Sequence, residues 1–284
     1  MPELPEVETI KRGLGKVLIG KKIKQVKVLR DKSFSGEPAK MKGWIVDKVG
    51  RKAKVLEIYF KSQKKLLIIH LKMTGQLVFV GDNMRVAGGH PSPDWVSELP
   101  SPHTRVIWEF DDGAKLFFND MRVFGWMRSV SKDSYLQEKE KQPPDVIDRK
   151  FTDEYLRMIL SKTKRAVKLA LTDQAKVGGV GNIYCNDALY FARIRPDRPA
   201  DSLSMGEVRK LRKALVEIVA RGIKYGGSSA ADEKFVDISG EKGEYQKHFL
   251  VYERAGQKCK RDGGIIKKIK IGGRGTYLCP TCQK

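Results

Sequence analysis

The chain has 284 residues, 40% of them hydrophobic, enough to build two domains of ordinary size with real cores. Lys and Arg number 56 against 34 Asp and Glu, a formal charge of +22 with a pI near 9.8, which points to a nucleic-acid partner. No apolar run approaches the roughly 18 residues of a membrane span. The acidic, proline-bearing start from Met1 to Glu6 is unlike a secretory leader, and four cysteines suit metal or free thiols rather than a disulfide framework. A reducing cytoplasm, at the nucleoid, is the expected setting.

The first element is a helix from Pro5 to about Leu18. Proline suits a first helical position, and Val7, Ile10, Leu14 and Leu18 share one face. From Lys21 to about Ser129 the period shifts towards two. Leu66 to Leu71 is an apolar strand run. Thr104 to Phe110 alternates, and Asp112-Gly113 turns it into a partner strand from Ala114 to Phe118. Many short strands with tight turns predict an antiparallel sandwich or barrel. Residues 82 to 103, rich in Gly, Pro and Ser, read as a long loop. Residues 132–150, polar and carrying Pro143-Pro144, read as a linker.

Beyond residue 150 the pattern is helical. Ser204 and Glu207 have capping-box spacing before Val208, Leu211, Leu215 and Ile218, and Gly226-Gly227 closes that helix. Lys176 to Tyr184 contains a glycine turn ahead of an apolar helix. Such a helix start exposes backbone amides to a phosphate, and Asn182 can either cap it or donate to a phosphate oxygen. A plain helix-helix connection would use the same residues.

The tail holds three cysteines. Cys259 and Asp262 precede a basic hairpin, and Cys279 and Cys282 follow it. Two such knuckles make a zinc ribbon when all four ligands are thiolates. Here Asp262 stands where a thiolate is expected, so a single structural Zn2+ held by three sulfurs and one carboxylate is predicted, with His248 as a poorly spaced substitute. A metal-free hairpin pair held by its apolar residues is the alternative. Arg274, between glycines of the hairpin, has the fork geometry to clamp a phosphate.

Six motifs in order then resemble one family. They are Pro2 to Thr9, Lys52-Ala53-Lys54, His70 to Gly75, Asp120 to Gly125, Gly179 to Tyr184, and Arg274 to Gln283. Together they resemble the formamidopyrimidine-DNA glycosylases. The resemblance implies an α+β, two-lobed fold: an N-terminal β-sandwich with flanking helices over residues 1–131, and a helix–two-turn–helix lobe over 151–234. A lesion-loop end and zinc-finger hairpin would complete the chain over 235–284.

It also implies a bifunctional glycosylase and abasic-site lyase, acting as a monomer on double-stranded DNA with oxidised bases or abasic sites. Pro2 would be the nucleophile, Glu3 the acid and Lys54 a phosphate-holding pocket residue. Met73, Arg122 and Phe124 would enter the duplex. Asn182 and Arg274 would contact phosphates, and Lys168 aligns with a pocket lysine. Asp187 departs from the usual Glu, Val123 from a common Arg, and Asp262 from a zinc cysteine.

These residues suit the chemistry. An amine that forms a Schiff base must be partly neutral near pH 7, and an α-amine with a reference pKa of about 7.7–8.0 meets that need better than a lysine near 10.4. The positive end of the Pro5 helix is expected to depress it further. Glu3 would protonate the sugar ring oxygen. Extruding a base costs a few kcal/mol, and inserted Met73 and Phe124 would fill the gap while Arg122 meets the orphaned base. The segment from Gly226 to Tyr245 is the candidate for gripping the lesion. A relative that prefers oxidised pyrimidines, as endonuclease VIII does, and a non-catalytic DNA-binding zinc-ribbon protein are the rival readings.

Overall fold

The computed structural model of the protein describes all residues except 82–83, 91, 96 and 229–242. Most of the segment expected to grip the lesion thus lies outside the described residues. The chain divides into two compact units, Met1–Lys141 with Tyr225–Glu244, and Gln142–Lys224 with Tyr245–Lys284.

The first unit opens with helix α1 (Leu4–Leu18). Val7, Ile10, Leu14 and Leu18 are each at most 1% exposed, which contributes roughly 6–12 kcal/mol of gross apolar burial. Ten strands follow. β1 (Ile23–Val28), β8 (Thr104–Phe110), β9 (Lys115–Asp120), β6 (Gly75–Gly81) and β7 (Met84–Gly89) form one sheet in that spatial order. β2 (Phe34–Ser35), β10 (Trp126–Ser131), β5 (Lys65–His70), β4 (Val55–Phe60) and β3 (Val46–Lys52) form the other. Their inner faces share one core, in which Phe60 of one sheet lies parallel to Trp108 of the other at 6.4 Å. This is the β-sandwich that the alternating patterns predict. The β8–β9 turn forms as expected, with Gly113 at φ 86° and Asp112 accepting from the Ala114 amide at 3.1 Å.

Two expectations fail here. Residues 84–89, read as loop, are strand β7, paired along β6 from Met84 to Gly89. Gly88 admits a neighbour rather than turning the chain: a Cβ there would stand 2.7 Å from Ile10 Cγ1, so α1 seats against bare backbone. Residues 132–141, read as linker, are helix α2 (Lys132–Lys141). β5 exposes Leu66 and Ile68 on the outer face of its sheet, and Tyr135 of α2 covers them. The Tyr135 hydroxyl and the Lys139 ammonium both reach the buried Glu57 carboxylate, at 2.7 and 2.6 Å.

The second unit contains α3 (Asp153–Ser161), α4 (Val167–Leu171), α5 (Asn182–Phe191) and α6 (Met205–Lys224), then a hairpin of β11 (Lys267–Ile271) and β12 (Arg274–Leu278). α6 starts with the predicted reciprocal cap: Ser204 N–H donates to Glu207 at 2.8 Å, and Glu207 N–H donates to Ser204 Oγ at 3.3 Å. The finger is tied to the helices by Gln283, 1% exposed, which accepts from Cys279 N–H and donates to Ile194 C=O, each at 2.8 Å. The fold is α+β throughout, as predicted.

Candidate active site and nucleic-acid interface

Pro2 and Glu3 lie at the head of α1, and both are buried while Met1 is half exposed. The Glu6 carboxylate organises this end. It accepts from the Glu3 amide at 2.8 Å and from the Ser228 amide at 2.8 Å. Ser228 also bridges Glu244, so the pair formed by these two residues sits at Glu6, three residues from Glu3. One turn along α1, burial opposes the charge of Glu8, but Lys11, Arg51 and Arg12 hold its carboxyl below the usual range. Arg51 also donates to the Ala53 carbonyl at 2.9 Å. Ala53 adopts φ 49°, and the next residue, Lys54, is 5% exposed. A chain of ionic contacts thus runs from the helix that carries Pro2 and Glu3 to the turn that presents Lys54.

Lys54 also influences His70. Burial first, then the charges of Lys72 and Lys54, lowers the His70 pKa to about 4. Its Nδ1 accepts from the Lys72 amide at 2.9 Å, so the proton of the neutral ring belongs on Nε2. A neutral N–H donor flanked by two ammonium groups suits a phosphate oxygen. The His70 to Gly75 motif assigns His70 no role; a histidine at the end of an apolar strand, two residues before Lys72, is the signal that marks it.

Met73, Arg122 and Phe124 occupy two neighbouring exposed turns, with Met73 41% and Phe124 49% exposed. The turns are joined by Asp120, which is fully buried. Its carboxylate accepts from the Thr74 hydroxyl, from the Arg122 amide at 3.2 Å and from the Gly125 amide at 2.6 Å. Thr74 Oγ in turn accepts from the Arg122 amide at 3.0 Å. Between Arg122 and Phe124, Val123 sits at φ 54°, a left-handed conformation that costs a β-branched residue about 1–2 kcal/mol. The two amides bound by Asp120 flank that residue and hold it there. Gly125 is required for space, since a Cβ would stand 2.9 Å from Phe118 and 3.1 Å from the His70 carbonyl. Arg122 stacks on the Phe124 ring at 4.7 Å. Asp120 and Thr74 were missed as organisers because their pairing crosses 46 residues of sequence.

In the second unit, Asn182 is the first residue of α5, and Gly181 rather than Asn182 is the cap. The preceding turn is held by Gln174, which accepts from the Gly179 amide at 3.1 Å and donates to the Val180 carbonyl at 2.6 Å. Gln174 lines a cleft with Arg165, Thr172, Gly272 and Arg274. Arg274 is exposed at the β11–β12 turn. Lys168 is fully buried, and its ammonium donates to the Gly275 carbonyl at 2.9 Å and the Thr276 hydroxyl at 2.6 Å. It therefore supports the residues that follow Arg274. Asp187, also fully buried, is raised by burial against the pull of four donors, the amides of Leu250, Val251 and Tyr252 and the Tyr245 hydroxyl. It fixes the start of the finger on α5.

The predicted metal ligands converge. One ligand atom each from Cys259, Asp262, Cys279 and Cys282 lies within 4.8 Å of all the others. Zn–S bonds of about 2.3 Å and a Zn–O bond of about 2.1 Å at tetrahedral angles require edges of about 3.8 Å between sulfurs and about 3.6 Å between sulfur and oxygen. Cys259 Sγ is 4.0 Å from Cys282 Sγ, and Cys279 Sγ is 3.5 Å from Asp262 Oδ1. The donor set fits zinc. The Gly264 amide orients Asp262 at 2.9 Å, and the Arg261 amide and the Tyr190 hydroxyl face Cys259 Sγ at 3.4 and 3.3 Å. His248 is not in the cluster.

Comparison with known proteins follows the same division. Residues 1–127 match the formamidopyrimidine-DNA glycosylase N-terminal domain, 143–234 the H2TH domain of the same enzymes, and 256–284 the zinc finger found in FPG and IleRS. Formamidopyrimidine-DNA glycosylases of Pelotomaculum thermopropionicum and Streptococcus pneumoniae strain R6 are 40% and 34% identical, each over 100% of this chain and 99% of the relative. Among solved structures, a complex of Lactococcus lactis Fpg with DNA containing an abasic site has a TM-score of 0.86 at 30% identity, covering 99% of both chains. A complex of the same enzyme with N7-benzyl-Fapy-dG DNA has a TM-score of 0.86 at 30% identity over 100% of both. Among the described residues no helix is long and apolar enough to cross a membrane. With the sandwich, the H2TH helices and the finger all matched in order, the chain is a DNA-repair glycosylase belonging to the formamidopyrimidine-DNA glycosylase family.

Proposed function

We propose that this enzyme is a bifunctional glycosylase and abasic-site lyase that excises oxidised purines from duplex DNA through the Pro2 amine. The observation that carries the reading is the head of α1: Pro2 and Glu3 are buried behind an exposed Met1, and Glu6 ties that head to Ser228. Removal of Met1 frees the Pro2 nitrogen. That nitrogen attacks C1′ of the damaged nucleotide and the glycosidic bond breaks, so the base departs with its bonding electron pair. The proton on the attacking nitrogen passes to the departing base, the Glu3 carboxyl gives its proton to the ring oxygen as the C1′–O bond breaks and the sugar opens, and the freed nitrogen lone pair completes an iminium. Loss of a proton from C2′ then expels the 3′ phosphate, and a second elimination expels the 5′ phosphate.

Lys54 and neutral His70 would hold a phosphate near the lesion, and Arg274 with the α5 start would hold others. Met73 and Phe124 would fill the gap, with Arg122 addressing the orphaned base. The finger would hold its one zinc ion through Cys259, Asp262, Cys279 and Cys282, supplying a rigid hairpin for Arg274 rather than chemistry. The chain would work as a monomer.

The test is incubation with duplexes carrying 8-oxoguanine, a formamidopyrimidine, an oxidised pyrimidine or an abasic site, with borohydride present. A covalent adduct mapped to Pro2 is expected, formed fastest with the purine lesions. The lesion panel matters because one solved neighbour is a complex of Lactococcus lactis Fpg with an oxidised pyrimidine. An adduct on a lysine, or cleavage of abasic DNA by Pro2→Gly at the parent rate, would remove the assignment.

A further inference from the structure

The first unit carries a concave surface, lined in part by Met73 and Phe124, that extends beyond the residues this chemistry uses. It is a cleft of about 670 Å3, within the roughly 300–1,000 Å3 of small-ligand sites, and it opens beside the turns that bear Met73 and Phe124. Lys32, Lys72, Phe124, Trp126 and Arg128 line it. Its walls are cation–aromatic stacks. The Arg128 guanidinium lies 4.3 Å from the Trp126 ring centre, with the His70 ring 5.7 Å away on Trp126. On the other side the half-exposed Phe124 carries the Arg122 guanidinium. Lys32 and Lys72 supply positive charge, and among the described lining residues Asp31 alone is acidic.

Flat rings and guanidinium planes at a basic rim are what an unstacked nucleobase and its phosphate require. Every base has a π-face, so such a platform is tolerant of sequence. We propose that this cleft is a nucleotide subsite for the undamaged strand. The base next to the orphaned position leaves the distorted stack and lies against Arg128 on Trp126, with its phosphate towards Lys72 and Lys32. The undamaged strand is the occupant because the cleft continues from Phe124, whose partner Arg122 addresses the orphaned base. The inference rests on the reading of Met73, Arg122 and Phe124 as inserted residues.

The test uses the full chain and a duplex holding a tetrahydrofuran abasic analogue. In a second duplex, the two nucleotides flanking the orphaned base on the undamaged strand are replaced by abasic spacers. The protein should bind the spacer duplex about 5- to 20-fold more weakly, the low end of what one stacked base contributes. Arg128→Ala should lose about 5-fold on the intact duplex and nothing further on the spacer duplex. Trp126→Phe, which keeps a smaller ring at the platform, should lose less than Arg128→Ala on the intact duplex and nothing further on the spacer duplex, and urea midpoints equal to the parent's serve as the folding control for both variants. Equal affinity of the parent for both duplexes overturns the proposal. So does an Arg128→Ala loss that is the same on both, which would give the cleft to backbone or to another macromolecule. Borohydride trapping at saturating DNA separates the two levels: trapping at Pro2 with affinity blind to the spacers overturns the subsite alone, whereas absence of trapping overturns the enzymatic reading beneath it.

Discussion

Replacing Asp120 by Asn tests whether one buried carboxylate holds the turns that bear Met73, Arg122 and Phe124. Asp120 has two acceptor oxygens and three donors: Oδ1 takes the Thr74 hydroxyl and the Arg122 amide, and Oδ2 takes the Gly125 amide at 2.6 Å. An asparagine has one oxygen. If it faces Thr74 and Arg122, its NH2 meets the Gly125 N–H, donor against donor. A buried donor left in that state costs about 1–3 kcal/mol, and the loss of charge on the remaining bonds adds about 1 kcal/mol. The prediction is therefore a destabilisation of about 2–4 kcal/mol in urea unfolding. Affinity for an abasic-analogue duplex should fall by at least about tenfold, because the turn can then relax Val123 out of its left-handed conformation. Thr74→Ser, which keeps the hydroxyl, should change either quantity little. Asp120→Asn with a stability change under about 0.5 kcal/mol and unaltered affinity would refute the reasoning, since the clamp would then hold nothing.

Other perturbations follow from the same geometry. His70 titrates at about 4 when folded and near 6.5 when unfolded, so the unfolded chain binds the extra proton between those values. Stability associated with His70 is complete above about pH 6.5 and is lost as pH falls towards 4, by roughly 2–3 kcal/mol. His70→Gln should flatten the pH dependence of urea midpoints in that window, and an unchanged slope would count against a neutral His70. At the finger, Asp262→Cys should tighten zinc measurably in chelator competition, while Cys279→Ser should leave the protein with less than one zinc by elemental analysis. Equal zinc retention by both variants would contradict the four-ligand cluster. Gln174→Leu removes the side chain that bonds the Gly179 amide and the Val180 carbonyl. It should weaken duplex binding about tenfold at low salt, and parent-like binding would show that the turn needs no such support.

What the sequence made legible follows from how local each signal is. The amphipathic face of α1, the Asp112-Gly113 turn and the Ser204–Glu207 cap depend on residues a few positions apart, and all three form as read. Strand β7 was hidden because its glycines resemble loop residues, although Gly88 serves to admit Ile10. Helix α2 was hidden because its polar residues mask a single covering side chain, Tyr135. At the site, the motif residues were all visible as types, but the partners that place them were not. Asp120 reaches Thr74 across 46 residues, and Lys168 reaches Thr276 across 108. Such pairings belong to the topology, and no period or spacing announces them. The Cys259–Asp262–Cys279–Cys282 cluster, which spans 23 residues, was legible because thiols at knuckle spacing carry their own chemistry.

The bond between Glu6 and Ser228 spans 222 residues. On a ribosome, the sandwich strands emerge long before Ser228 exists, so a nascent chain can bury its apolar layers while the surroundings of the head of α1 are still incomplete. A truncated product ending at residue 141 would keep Pro2 and Glu3 yet lack the Ser228 donor that holds the Glu6 carboxylate beside Glu3. Completion of this end of the first unit is thereby deferred until most of the polypeptide has been made.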